Sequence, residues 1–193
     1  GGGERMILQA LKEYYDRKAA DPASGIAPWG WFQGQVDFAV VLNMNGAFVS
    51  LQTLFDKKDN RRIPFSRLLP YIGKQARKHT NSSEDANLLW DNATFVLGIG
   101  KNGAKKLNSF IAAIRRNLAG VRDPAIAAVL KFLEDGQSDS SVFAPIVKDV
   151  THGELIREGR VNVTFRVAAD STLLVFERPE IKARISSGLG ESE

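Results

Sequence analysis

The chain contains no cysteine and only two histidines, and no apolar run in it reaches the length of a membrane span. The missing cysteines exclude disulfide staples and thiolate zinc sites, and they suit a reducing cytoplasm. A helical span needs about 20 consecutive apolar residues, so no membrane segment is expected. His79 and His152 stand in unrelated segments, with no H-E-x-x-H spacing and no acid pair at ligand spacing. A G-x-S-x-G nucleophile elbow is also missing. No catalytic residue, metal ligand or cofactor is therefore assigned, and the protein is read as cytoplasmic and not an enzyme.

What is present fits a globular protein, with 193 residues, 44% hydrophobic and 25% charged. That length suits one domain with a real core. The opening Gly1–Arg5 is read as a non-native scar, leaving 6–193 as the domain, with a sub-boundary expected near 136–141. The net charge is only +4, but it is unevenly spread. Between Asp56 and Thr80 eight cations meet two acids, and between Lys101 and Arg122 six cations meet none. Such concentration favours an anionic partner, nucleic acid before membrane, while a solvated surface is the plain alternative.

Periodicity predicts helices over Met6–Ala20, Asp85–Leu97 (with a strand as the alternative for its TFVL end) and Ala104–Ala119, the last closed by Gly120. Asp123-Pro124 starts a fourth, ending at Gly136, and Pro179 opens a short terminal one. QVDFAVVLN alternates, with Val36, Phe38, Val40 and Leu42 on one face. It is joined by a type I′ turn at Asn45-Gly46 to the return strand AFVSLQTL. VNVTFRVA and STLLVFER are expected to form a second hairpin. DKKDNRR reads as a polar loop, GQSDSS as a flexible joint, and IPFSRLLPYIGKQARKHT as an irregular basic segment. The predicted class is α+β, helices packed with antiparallel hairpins in one compact domain.

Several residues invite chemistry. Gly98, Gly100 and Gly103 spell G-x-G-x-x-G before a helix, the pattern that brings a pyrophosphate to a helix N-terminus. The segment after that helix begins another capped helix instead of a parallel strand, so glycines admitting a helix are the competing explanation. Asp91 and Asn92 suit catalysis or capping and loop support. Trp29 and Trp31 can stack on bases or lid the core. Trp90 falls in the apolar periodicity and is expected to be structural. The cations Arg61, Arg62, Arg67, Lys74 and Lys78 suit phosphates. Gln75, Arg77, His79, Thr80 and Asn81 lie nearer the predicted helix start and suit base edges.

Four motifs in order resemble one family. MILQAL with Tyr14-Tyr15, GIAPWGW, VDFAVVLNMNGAFVSL and LLWDNATFVLG are similar to the large subunit of the type I-C CRISPR Cascade complex, the Csd1-like family. The likeness continues weakly through NVTFRV and Pro179–Ile181. Trp29 departs from the family's usual second proline, and RKHTNSSEDAN replaces its Arg-Thr-Ser-Gly-rich approach to the tryptophan motif. Family members are longer, so the resemblance implies an N-terminal domain of a larger subunit. It also implies a non-enzymatic role: reading the protospacer-adjacent motif in double-stranded target DNA and aiding strand opening. The implied partners are guide RNA-containing Cascade subunits, a recruited helicase-nuclease and phage-encoded inhibitors. The rival readings are a protein-docking domain whose basic loop binds complex subunits or acidic inhibitors, and a nucleotide-binding enzyme built on Gly98–Gly103.

Overall fold

The computed structural model describes residues 2–20, 27–71 and 85–187, with side chains of the first helix described over 3–14. Helix α1 spans Gly2–Ala20. Strand β1 (Trp31–Gln35) is followed by β2 (Phe38–Leu42) and β3 (Phe48–Thr53). A small hairpin, β4 (Phe55–Lys58) and β5 (Arg61–Pro64), leads into β6 (Ser66–Pro70). Strand β7 (Trp90–Asn92) runs into the one-turn α2 (Ala93–Val96). Helices α3 (Gly103–Asn117) and α4 (Pro124–Ser138) come next, then the short α5 (Ala144–Val147) and α6 (Gly153–Arg157). Strand β8 (Asn162–Val167) and helix α7 (Pro179–Ser186) complete the described chain. The predicted α+β class holds.

The core is organised around a four-stranded mixed sheet of order β3-β2-β8-β7. β2 pairs antiparallel with β3 and parallel with β8, while β7 pairs antiparallel with β8. All five residues of β2 are buried. On one face Phe165 packs against Phe110 of α3 and Phe132 of α4. On the other, the two-stranded β1–β6 ribbon closes over the sheet, with Phe32 lying 5.7 Å from Trp90. A strand covered on both sides loses its polar face, so the expected alternation in QVDFAVVLN gives way to a continuous apolar run.

Other expectations are corrected. The segment 85–97 is no single helix. The Asp91 carboxylate accepts the backbone N–H groups of Asn87 (2.8 Å) and Asn92 (2.7 Å), and Leu89 adopts a φ of 63°. Those local bonds divert the backbone, placing Trp90 in a strand, and Asn92 then caps α2 by accepting from Thr94 N–H at 3.1 Å. STLLVFER is not a strand, since Val175–Glu177 form a 3-10 turn and β8 takes β2 and β7 as its neighbours. Its Leu174, Val175 and Phe176 are buried, and a short apolar run signals burial without fixing the secondary structure. At Asn43–Gly46 the Gly46 N–H donates to the Asn43 carbonyl and only Gly46 has positive φ, a type I turn with a glycine bulge instead of type I′. Helix α4 runs past Gly136, where a Cβ would lie 2.0 Å from the Phe143 ring.

Candidate nucleic-acid interface

The polar stretch DKKDNRR, expected as a loop, forms the β4–β5 hairpin. Asp59 and Asn60 both have positive φ (51° and 62°), the geometry of a two-residue type I′ turn, which asparagine and aspartate tolerate. The register sets Lys57 opposite Arg62 and Lys58 opposite Arg61. Like charges facing each other across a strand pair cost stability. Apart from Phe55 at the base and the half-buried Pro64, every residue of both strands is exposed. Of the four facing cations only Arg62 has, among the described residues, a partner that the fold supplies, Asp37.

The base of the hairpin is firmly seated. Phe55 is buried, edge-on to Phe38 at 5.4 Å and to the His152 ring at 6.1 Å. Arg62 donates to the Asp37 carboxylate at 2.8 Å and lies over the Phe55 ring, 5.6 Å from its centroid. Asp37 is itself buried, and its second oxygen accepts the Asn162 backbone N–H at 2.8 Å. Arg62 is thus tied to the core, while Lys57, Lys58 and Arg61 remain toward the tip.

Arg67 lies on β6, half-buried, opposite Gly34 of β1. The other residues that the sequence assigns to the interface, Lys74, Gln75, Arg77, Lys78, His79, Thr80 and Asn81, lie outside the described residues. The flanks of that segment are described. Tyr71 donates its backbone N–H to the Gly30 carbonyl at 2.7 Å, and the Trp90 indole N–H donates to the Pro70 carbonyl at 3.0 Å. On the far side Asp91 holds the Asn87 backbone N–H. The residues before and after the segment therefore meet at one buried tryptophan. That bears out the structural role expected for Trp90 and gives Asp91 the role of a loop support.

The second cationic cluster is partly spent on the fold. Arg115 is paired with Glu134, and Lys106 lies 5.5 Å from the Phe95 ring centroid, whereas Lys105 and Arg116 are exposed. Trp31 lids the core, with its indole N–H donating to Ser186 at 3.0 Å and its ring 6.1 Å from Phe176.

The glycine motif does not build a dinucleotide site. It is preceded by α2, and α3 is followed by α4 where a parallel strand would be needed. The glycines serve close packing, since a Cβ on Gly103 would sit 2.2 Å from the Gly98 carbonyl oxygen. Asp123 caps α4 through the Ala125 N–H and pairs with Arg178 at 2.7 Å, and that hydrogen bond raises the Arg178 pKa above its ordinary value. Among the described residues no group of three or more His, Asp or Glu is placed to hold a metal ion. No helix there is long and apolar enough to cross a membrane.

Sequence reasoning misses the hairpin although Asp59-Asn60, flanked by Lys57-Lys58 and Arg61-Arg62, is a turn signal. Charge on both sides hides it. Comparison with known proteins now adds one finding. Residues 11–193 match the family model of the CRISPR-associated protein Cas_Csd1. No curated protein matches the chain.

Proposed function

The chain belongs to the Csd1 family of CRISPR-associated Cascade subunits, and from that premise we propose that it binds duplex DNA within an RNA-guided surveillance complex. Its task there is to inspect the protospacer-adjacent motif and help open the strands, without catalysis of its own. The observation that supports this reading is the β4–β5 hairpin, whose facing cation pairs weaken the fold yet suit a phosphate backbone. Lys57, Lys58 and Arg61 meet phosphates, and Arg62 holds the hairpin in place. The segment 74–81 supplies the amide and basic side chains suited to base edges. The guide RNA carries the long sequence match, and the protein reads only a short motif.

The test is duplex binding by the assembled complex at several salt concentrations, with a library of motif positions. Replacing Lys57, Lys58 and Arg61 by alanine should weaken all duplexes alike and lower the log–log salt slope by roughly 0.9 for each phosphate no longer neutralised. An unchanged slope would remove the hairpin from the interface. Metal-dependent hydrolysis of nucleic acid or nucleotide by the chain, abolished by substituting Asp91 or Asp123, would overturn the non-catalytic reading.

A protein-docking role is the second reading, favoured by one observation. Met6, Ile7, Leu8 and Leu11 of α1 are all exposed, and Met6 retains 75% of its accessible surface. Binding that survives high salt, with substitutions in α1 decisive, would favour docking over nucleic acid.

A further inference from the structure

We infer that Arg67 and Arg166 form a clamp for a single phosphate group, supplied by the backbone of a bound nucleic-acid strand. Strand periodicity puts Arg67 on the same face of β6 as Leu69, cross-strand from Phe32, and that face of the ribbon meets Trp90. Arg166 lies two residues beyond Thr164 on β8, on the face of the sheet that carries Trp90. The two guanidinium groups are therefore brought from different sheets to one side of the ribbon–sheet junction. The nearness shows electrostatically: burial first, then the charge of Arg67, lowers the Arg166 pKa.

Both Nε atoms are buried and, among the described residues, have no hydrogen-bond partner. Arg166 reaches Gln52 through Nη1 at 2.6 Å, but that neutral amide offsets no charge. Among the described residues neither arginine joins an ion pair. The acids whose charge reaches Arg166 are Asp170 and Glu177. Each is occupied elsewhere: Glu177 accepts the Leu174 N–H at 2.9 Å, and Asp170 accepts from Thr172 and faces Arg178 at 3.6 Å. Two half-buried guanidiniums with unused donors and, among the described residues, no carboxylate in contact are destabilising alone. A tetrahedral oxyanion between them would take up those donors and the excess charge. Arg67 also follows the hairpin closely in the chain, three residues after the end of β5. The choice of a nucleic-acid phosphate rests on the function proposed above.

The experiment uses the full chain and its Arg67→Gln and Arg166→Gln variants. In one arm inorganic phosphate is titrated at constant ionic strength while thermal unfolding is followed. The parent should gain a few degrees in Tm and both variants should gain nothing, because an anion bound only by the folded state stabilises it. Without phosphate Arg67→Gln should be no less stable than the parent, which a purely structural role for this arginine would not allow, whereas Arg166→Gln also loses its bond to Gln52. In the second arm duplex and single-stranded DNA binding is measured against salt, and the log–log slope should fall by about 0.9 in each variant. If Arg166→Gln does not fold, Arg67→Gln alone carries both arms. A parent that ignores phosphate overturns the clamp. A phosphate response with unchanged slope overturns the nucleic-acid source. A parent that binds no DNA sinks the function proposed above and leaves the clamp to be decided by the first arm.

Discussion

Arg62 donates to Asp37 at 2.8 Å, and through that carboxylate a residue of the most basic stretch is joined to the backbone of Asn162. The Asp37 backbone adds two further bonds, accepting from Leu54 N–H and donating to the Asn162 carbonyl, each at 2.8 Å. One aspartate thus ties the β4–β5 hairpin to two strands of the main sheet.

Asp37→Ala should accordingly destabilise the protein by about 2–3 kcal/mol, because it strands a charged donor and the Asn162 N–H together. Arg62→Ala should cost a comparable amount, about 1–3 kcal/mol, since it leaves the Asp37 carboxylate, whose side chain is only 12% exposed, with the Asn162 N–H but no cation. Chemical unfolding of the two single variants and the double variant yields the coupling. A coupling near zero would mean that the pair only coincides in space.

Trp90→Ala should cost about 3–5 kcal/mol by opening a cavity beside Phe32. Trp90→Phe keeps most of the ring but leaves the Pro70 carbonyl without its donor, for a loss of about 1–3 kcal/mol. Unfolding curves decide this. Unchanged stability with lost DNA binding would place the ring in the interface instead.

The segment beyond Tyr71 divides its labour by side-chain chemistry. Lys78→Ala should weaken every duplex equally and reduce the salt slope by roughly one. Asn81→Ala or Gln75→Ala should flatten preference at one motif position, reducing discrimination by about 1–3 kcal/mol. A motif library bound to the assembled complex reads both effects. Uniform losses from the amide variants would reassign them to phosphates.

Acid should loosen the turn that carries Asp170. Hydrogen bonds from the Thr172 side chain and backbone, reinforced by Arg178, hold its pKa below the ordinary carboxylate value. The folded state thus favours the ionised form, so its contribution is present above the unfolded pKa. That contribution is lost as pH falls through the folded one. Asp170→Asn should therefore flatten the acid limb of stability against pH below about 4. An acid limb identical to the parent's would show that the turn contributes nothing.

Much of the fold is legible in the residues. The α3 stripe, the Asp123-Pro124 cap of α4 and the β2–β3 hairpin all follow local rules of periodicity and capping. Several misses share one physical cause: pairing between distant segments. Strand β1 depends on β6, and β8 depends on β2 and β7, none of which a local window reveals. Periodicity puts Trp90 on the buried side of a helix. It is buried, but two backbone bonds to Asp91 take its segment out of the helical state. At the candidate site charge alone singles out Arg61 and Arg62, and charge does not show that Asp37 holds one of them. Arg166 has no local signal, because a lone arginine in an apolar strand carries no motif.

The position of β8 between β2 and β7 also sets the order of assembly. Its pairing closes a loop of more than a hundred residues, since Asn162 meets Asp37 across a separation of 125 positions. Long closures slow folding, and parallel pairing between strands far apart in sequence is slow by nature. While a ribosome is still extending the chain, β2 and β7 wait with unpaired edges until Asn162–Val167 has emerged. The apolar β2 is therefore the segment most open to mispairing during synthesis, and the Asp37 that anchors the hairpin gains its bonds to Asn162 only when the last strand arrives.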